Sequence, residues 1–200
     1  GKPIRYFLYP QSSGNRIRQV FIIKKFIENK DNLKLKNIRN IIEIGGGYGC
    51  MADIFKKINK KVSYTIYDMH EVNLIQYYYL SMNKYKPTFE KESSKLNLIS
   101  DLKDVNRFAR KNKDYLLIAN WSISEFPITL RNQFFEAISR SKYTVISFQE
   151  NFENINNKIF FNKFLKRLKK DFNFYLDTFD QYNGSILNKN KHFMLTIIRK

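Results

Sequence analysis

The chain has 200 residues, of which 43% are hydrophobic and 16% aromatic, enough for one domain with a substantial core. It has a single cysteine, which excludes an internal disulfide, and no His/Cys cluster suggests a metal site. No apolar run approaches the roughly 18 residues that a membrane span needs, and no export signal is visible. We therefore expect a cytoplasmic protein without a membrane span.

The net charge is +18. Such a charge attracts phosphate backbones, so nucleic acid is one candidate partner. Lys, Asn, Ile, Tyr and Phe are abundant along the whole chain, however, and this favours a general compositional bias. The densest basic stretch, 163–170, is interpreted as an outer helix with its lysines in water. Contact with an anionic membrane surface is the alternative.

The hydrophobic pattern predicts alternating helices and strands. After a loop at 10–14, helices are expected at 15–30, 49–57, 71–82, 105–111, 129–139 and 156–169. Strands are expected at 41–45, 62–67, 96–99, 115–120 and 143–148. Two closing strands, 172–179 and 192–198, flank a turn near Asn183 and Gly184 and should pair antiparallel at one edge.

This order predicts one α/β domain over residues 1–200. We expect a Rossmann-like, seven-stranded, mostly parallel sheet with an antiparallel edge strand and helices on both faces. Residues 1–39 would form a helical lead-in to the first strand. Because the chain starts at Gly1 rather than methionine, the sequence leaves open that part of this lead-in is missing.

The most informative segment is 40–50, where a β-branched strand runs into alternate glycines. Its spacing is E-x-G-x-G-x-G, with Glu43, Gly45, Gly47 and Gly49. Glycine is needed where the backbone takes positive φ or approaches a ligand closely. The dinucleotide fingerprint would place its third glycine at position 50, where Cys50 stands. The spacing predicts a nucleotide-cofactor loop of another kind.

The strand at 62–67 ends in an acid, Asp68. A carboxylate at this place accepts both ribose hydroxyls in nucleotide-binding α/β folds. A tight turn followed by a capping Asp68 would be a purely structural explanation. The order of strand, glycine loop, helix, strand and acid favours a cofactor site.

The glycine segment resembles motif I of the class I S-adenosylmethionine (SAM) methyltransferases. Together with 67–80 and 120–126, it is similar to a bacterial family of sugar O-methyltransferases, and the resemblance covers about residues 40–150. Two positions depart from that family's pattern, with His70 in place of proline and Phe126 in place of methionine.

The resemblance implies SAM as cofactor and a hydroxyl of a sugar or nucleotide-sugar as acceptor, in surface polysaccharide biosynthesis. It places the acid of motif I near the methionine end of the cofactor. The implied cofactor-binding residues are Glu43, Gly45, Gly46, Gly47, Tyr48, Gly49, Asp68, Met69, Asp101 and Asn120.

The loop after the fourth strand favours oxygen over nitrogen as the methylated atom. Methylation of nucleobase amino groups uses a proline-rich loop there, and no proline follows Asn120. A sugar hydroxyl needs a general base, and the candidates are Glu125, which we favour, Glu150 and His70.

Each candidate in this region has a second interpretation. Glu125 could stabilise a helix N-terminus, and His70 could contact adenine or cap a helix. Trp121 is either a stacking platform or a core aromatic residue, and His192 is expected to be structural.

Three other functions stay open at this point. The basic charge favours a methyltransferase acting on RNA ribose or on a small metabolite. A catalytically degenerate binding module is less favoured, because the glycine loop and Asp68 are intact. A NAD-dependent oxidoreductase is least favoured, because of Cys50. The oligomeric state is not indicated.

Overall fold

The computed structural model describes residues 5–6, 8–29, 34–90, 95–112, 114–168, 170–180 and 191–200. The strands are β1 (Arg5–Tyr6), β2 (Tyr9–Ser13), β3 (Asn40–Ile44), β4 (Ser63–Tyr67), β5 (Thr88–Phe89), β6 (Leu96–Ile99), β7 (Leu116–Asn120), β8 (Tyr143–Gln149), β9 (Asn151–Phe152), β10 (Ile155–Asn156), β11 (Phe172–Asp180) and β12 (Lys191–Arg199). The α-helices are α1 (Gly14–Glu28), α2 (Cys50–Ile58), α3 (His70–Met82), α4 (Leu102–Lys111), α5 (Ile128–Gln133), α6 (Phe135–Arg140) and α7 (Asn157–Leu168).

The main sheet has the strand order β11-β12-β8-β7-β3-β4-β6-β5. The pairs from β8 to β5 are parallel, whereas β12 runs antiparallel to both β8 and β11. The predicted mostly parallel sheet and the antiparallel pairing of the two closing strands are confirmed. The antiparallel strand β12 lies one strand in from the edge strand β11.

The sheet has eight strands, not seven, because β5 pairs with the outer side of β6. This strand is only two residues long, Thr88–Phe89, which is too short to show a period of two in the sequence.

Helices cover both faces of the sheet, as predicted. One buried cluster joins α1, α2 and Leu80 of α3 to one face, and the other joins α4, α5, α6 and α7 to the opposite face. Strands β3 and β7 are covered on both sides, which explains their almost continuous apolar sequence. Glu43 interrupts that apolar run as a charged residue within β3.

Strand β3 pairs with β4 on one side and with β7 on the other. The chain order of the strands therefore reverses between β3 and β7. In open α/β sheets, ligands bind at the carboxyl ends of the strands beside such a switch point. The glycine loop after β3, Asp68 after β4 and the loop after β7 all lie at this end.

Two local predictions need correction, and a third is not tested. The predicted loop at 10–14 is largely strand β2, which pairs antiparallel with β1, so the lead-in is not purely helical. The predicted helix at 129–139 is two helices, because the amide of Phe134 donates back three residues to the carbonyl of Arg131 and shortens the turn. The expected turn at Asn183 and Gly184 lies outside the described residues.

Helix α7 carries the densest basic stretch. Its residues Phe161, Phe164 and Leu168 are buried against the sheet, whereas Lys163 and Lys166 are exposed. This arrangement agrees with the interpretation of an outer helix whose lysines are in water. Within the described residues, no helix combines the length and apolarity needed to cross a bilayer.

Candidate active site at the carboxyl ends of the parallel strands

The glycine loop between β3 and α2 contains three glycines with positive φ: Gly45 at 71°, Gly47 at 54° and Gly49 at 94°. At Gly45, a Cβ atom would lie 2.3 Å from Cβ of Ser122, in the loop after β7. Gly45 thus allows the two loops to approach each other, and the Ser122 hydroxyl donates to the carbonyl of Ile44 across this contact.

Gly47 is different, because a Cβ atom there would meet nothing within 4 Å. Its positive φ disfavours side chains, and among the described residues no neighbouring atom adds a packing reason for glycine. The space beside Gly47 is open at the carboxyl end of the sheet. This opening is what a loop that holds a ligand along its backbone requires.

Glu43 lies beneath the loop with only 3% of its surface exposed. The Tyr64 hydroxyl donates to Oε2 of Glu43 over 2.8 Å. Burial raises the pKa of Glu43 to about 7, partly opposed by the Tyr64 hydrogen bond and increased by the charge of Asp68. This carboxyl group therefore changes its charge near neutral pH.

Asp68 directly follows β4 and faces the glycine loop. Its Oδ1 accepts from the Met69 amide over 3.0 Å, and its Oδ2 accepts from Nε2 of Gln76 over 2.9 Å. Burial raises the pKa of Asp68, although hydrogen bonds from Met69, Gln76 and the backbone amides of Gly46 and Gly47 oppose the shift. The carboxylate is thus held by donors from both the glycine loop and α3.

Gln76 of α3 was not predicted as a site residue. It is fully buried, and its Nε2 also donates to the carbonyl of Gly47 over 2.9 Å. One amide group thus fixes both the glycine loop and Asp68. Asn73, one turn earlier, donates to the carbonyl of Ile99 at the end of β6. The contact of Gln76 with Gly47 and that of Asn73 with Ile99 join residues 29 and 26 positions apart, so the local pattern does not predict them.

The loop after β7 places polar groups on the other side of the switch point. Oδ1 of Asn120 accepts from the Ser147 hydroxyl over 2.8 Å, and its Nδ2 donates to Gln19 of α1 over 3.0 Å. The predicted cofactor residue Asn120 is thus held in place between β8 and α1.

Trp121 follows with a positive φ of 49°. Its indole N–H donates to Nδ1 of His192 over 3.0 Å, and its ring packs edge-on against Phe179. The Arg18 guanidinium lies over the Trp121 ring, 5.3 Å from its centre. Burial and the charge of Arg18 lower the pKa of His192. This cluster joins the loop after β7 to the two closing strands.

Two of the predicted catalytic residues lie near each other. Glu125 is exposed in a short 3-10 turn after β7, and its Oε1 accepts from Nε2 of Gln149 over 3.1 Å. Glu150 follows Gln149 directly at the end of β8 and is half-buried. Both carboxylates stand at the carboxyl ends of neighbouring strands.

The other predicted residues lie across the switch point, after β4 and β6. Met69 and His70 are exposed at the start of α3, and the His70 ring lies 6.1 Å from the Phe89 ring of β5. Asp101 caps α4, because its Oδ1 accepts from the Lys103 amide over 2.8 Å. His70 is therefore separated by the central strands from Glu125 and Glu150.

Tyr48 links the glycine loop to the N-terminal region. Its hydroxyl accepts from Nδ2 of Asn15 over 3.0 Å, and its ring packs edge-on against Tyr79 of α3. In the described part of the chain, no group of three His, Cys, Asp or Glu side chains is arranged to hold a metal ion.

A comparison with protein-family profiles finds no match, and neither does a comparison with curated proteins. Solved structures do match. The methyltransferase domain of bacterial CtHen1 is 14% identical, with 92% of this chain and 98% of that chain covered and a TM-score of 0.61. Phosphoethanolamine N-methyltransferase 2 of Haemonchus contortus, in complex with S-adenosyl-L-methionine, is 13% identical, with 94% and 53% covered and a TM-score of 0.60.

An O-methyltransferase family protein from Burkholderia thailandensis is 10% identical, with 93% of this chain and 58% of that chain covered and a TM-score of 0.54. At these identities the likeness concerns the fold. The glycine loop, Asp68 and the loop after β7 occupy the switch point of that fold. The chain has the Rossmann-like α/β fold of the class I SAM-dependent methyltransferases.

Proposed function

We propose that this protein transfers a methyl group from SAM to a hydroxyl group of a sugar or nucleotide-sugar. The assignment of SAM as cofactor rests on one observation. Open space lies beside Gly47, next to the Asp68 carboxylate that Gln76 holds in place. The assignment of a sugar or nucleotide-sugar as the methyl acceptor rests on the sequence resemblance over residues 40–150.

The residues at the switch point fit SAM by their chemistry. Asp68 would accept the ribose hydroxyls, and the backbone at Gly45 and Gly47 would lie along the methionine part. Glu43 would stand near the methionine end, and Asp101 after β6 would contact the adenine. Tyr48, Met69, Gly46, Gly49 and Asn120 would complete the contacts. When bound, SAM supplies an electrophilic methyl group.

The acceptor hydroxyl must lose its proton as its oxygen attacks, so a base within hydrogen-bond reach is needed. Glu125 is the residue that we assign to this role. It is accessible at the end of β7, and the hydrogen bond from Gln149 orients its carboxylate. Glu150 is the second choice, since it lies on the neighbouring strand end. His70 is set aside, because it contacts β5 beyond the cofactor residues.

An RNA ribose hydroxyl is the second candidate acceptor. The net charge of +18 favours it, because a basic surface attracts phosphate backbones. Small RNA methyltransferase HEN1 is also among the solved structures with this fold. A ribose 2′-hydroxyl and the hydroxyl of a nucleotide-sugar would make the same demand on Glu125.

Calorimetric titration with SAM and S-adenosylhomocysteine tests the cofactor. We expect micromolar binding, lost in Asp68→Ala and in Gly47→Val. In the Gly47 variant the new side chain would enter open space and not the core, while valine at the positive φ of 54° also strains the loop backbone, so the variant tests the conformation of the loop together with the space beside it. Asp114→Ala, which removes an exposed carboxylate, is the matched control and should bind as the wild type does.

Transfer of a labelled methyl group to nucleotide-sugars and to short RNA then identifies the acceptor. No SAM binding by the folded wild type would refute the proposal. If the protein bound SAM but methylated only RNA, an RNA ribose hydroxyl would replace the sugar hydroxyl as the proposed acceptor.

A further inference from the structure

A large cavity opens beside the glycine loop, between the N-terminal hairpin β1–β2 and the outer side of α2 and α3. Its volume is about 1160 Å³, larger than most small-molecule sites. The hairpin, the start of α1, Tyr48, Lys57 and α3 line it. The site proposed above for the cofactor and the base uses only Tyr48 from this lining.

Three cations line the cavity, namely Arg5, Arg16 and Lys57. Among the described residues that line it, no side chain is a carboxylate. Asp53 lies beneath, fully buried, with its Oδ2 2.6 Å from Nη1 of Arg16 and 3.0 Å from Nζ of Lys57. One buried negative charge therefore fixes two cations, and the lining keeps a net positive charge.

Fixed cations bind an anion better than mobile ones, because less side-chain entropy is lost on binding. Arginine is also suited to phosphate, since its planar guanidinium donates two parallel hydrogen bonds. The charge and geometry of this wall match a phosphate or diphosphate group.

The opposite wall is aromatic. Tyr78 and Tyr79 of α3 line the cavity together with Tyr48 and Ile75. Tyr78 is 65% exposed, so its ring is accessible to a stacking partner. Aromatic rings beside a cationic groove are the usual means of holding the base and phosphate of a nucleotide.

Tyr48 connects this cavity to the glycine loop, because it stands between Gly47 and Gly49 and its ring packs 4.8 Å from Tyr79. We propose that the cavity is a nucleotide subsite, with Arg5, Arg16 and Lys57 on the phosphates and Tyr78 stacked on the base. It rests on the proposed function in one respect, namely that the bound nucleotide belongs to the methyl acceptor.

The proposal is tested with a triple variant, Arg5→Gln, Lys57→Gln and Tyr78→Ser. Arg16 is kept because its removal would leave Asp53 without its closest partner. A matched control, Arg39→Gln, Lys166→Gln and Tyr175→Ser, makes the same changes in charge and ring number at exposed positions outside the cavity. The probes are UDP, ADP, pyrophosphate and a single-stranded RNA 12-mer, titrated without SAM.

We expect the nucleoside diphosphates to bind the wild type and the control equally, and the triple variant at least about tenfold more weakly. Pyrophosphate should bind more weakly than UDP or ADP, since it lacks a base. If the triple variant loses more 12-mer binding than the control does, the nucleotide is assigned to RNA. If it loses only diphosphate binding relative to the control, the nucleotide is assigned to a small acceptor.

The proposal is overturned if neither diphosphate binds, or if both bind the triple variant as tightly as the control. If pyrophosphate bound as tightly as UDP, the proposed stacking of the base on Tyr78 would be refuted. Because these titrations omit SAM, their failure is separate from failure of the cofactor proposal. Asp68→Ala should lose SAM and keep the nucleotide.

Discussion

At the residue scale, Glu43 is the most unusual side chain of the sheet. A carboxyl group buried in a strand gains little stability from its position, because burial disfavours its charged form. Tyr64 supplies a single hydrogen bond to it. A residue that weakens the core while standing beneath the glycine loop is best explained by a binding role.

The pKa of about 7 gives Glu43→Gln a pH-dependent effect on stability. In the unfolded chain this group ionises near 4.5, whereas in the fold it keeps its proton to about 7. The folded state therefore binds more protons between these values, and its stability falls as the pH rises through that window. Glutamine does not titrate, so at pH 8 the free energy of unfolding of the variant should exceed that of the wild type by up to about 3 kcal/mol.

Urea unfolding at pH 5 and pH 8 measures this difference. The gain should be small at pH 5, where Glu43 of the folded wild type keeps its proton. SAM affinity of Glu43→Gln should fall even as stability rises. An equal stability change at both pH values would contradict the raised pKa.

Gln76 gives the second residue-scale prediction. Gln76→Leu removes the donor that holds both the Gly47 carbonyl and Asp68. We expect SAM affinity to fall by about 10-fold to 100-fold, as for other groups that position a ligand-binding residue. Calorimetry measures it, with Gln133→Leu on the exposed surface as control. Unchanged affinity would show that the loop holds its shape without this bridge.

The proposed base gives the third prediction. Glu125→Gln keeps the hydrogen bond to Gln149 possible but cannot accept a proton, so kcat should fall by about 10²-fold to 10⁴-fold. SAM affinity should not change, since Glu125 is not among the residues that we propose to contact the cofactor. Initial rates and calorimetry on the same preparation measure both. If kcat fell further in Glu150→Gln than in Glu125→Gln, Glu150 would be assigned as the general base instead.

The sequence predicts some of these residues and not others. Gly47 and Asp68 follow from spacing, because a strand, a loop and a helix that are consecutive in the chain determine where they lie. Gln76 and Ser122 could not be predicted in this way. Their roles depend on contacts of Gln76 with Gly47 and of Ser122 with Ile44, which exist only once distant segments have packed.

At the element scale, the contact between α1 and α2 includes an ion pair. Arg16 of α1 lies 2.6 Å from Asp53 of α2, whose side chain is fully buried and also accepts from Tyr85. Burial alone would raise the pKa of Asp53, but the hydrogen bonds from Arg16, Lys57 and Tyr85 hold it below its usual value.

A double-mutant cycle with Arg16→Gln and Asp53→Asn tests this contact. We expect a coupling free energy of about 1–2 kcal/mol, at the lower part of the range for buried pairs because Arg16 is partly exposed. Urea unfolding of the four proteins at pH 7 measures it. Additive effects would mean that the hydrophobic contacts of Ile22, Ile23 and Phe26 hold α1 on their own.

The strands of the sheet differ in how well the sequence predicts them. Strands such as β7, Leu116–Asn120, are buried on both faces and read as apolar runs, so their places are evident. The pairs β1–β2 and β5–β6 include two-residue strands, which leave no periodic signal. These short strands form because tertiary contacts bring their backbones together, not because of local propensity.

At the scale of the whole molecule, the charge is spread over both helical layers. Lys24 of α1 is exposed on one side, and Arg107 and Arg110 of α4 are exposed on the other. A charge distributed in this way produces non-specific attraction to polyanions, which is distinct from recognition in a built cavity.

Non-specific attraction to polyanions and recognition in a built cavity should differ in how strongly each depends on salt. Binding of a single-stranded RNA 12-mer by the general surface charge should weaken by more than about 100-fold between 50 and 300 mM salt, because condensed counterions are released. SAM binding should change less than about twofold. Lys163→Gln with Lys166→Gln should lower the slope of the RNA plot by about 1.4 without affecting SAM. Anisotropy titrations across the salt series measure it, and RNA binding that persists at 300 mM would favour RNA as the methyl acceptor.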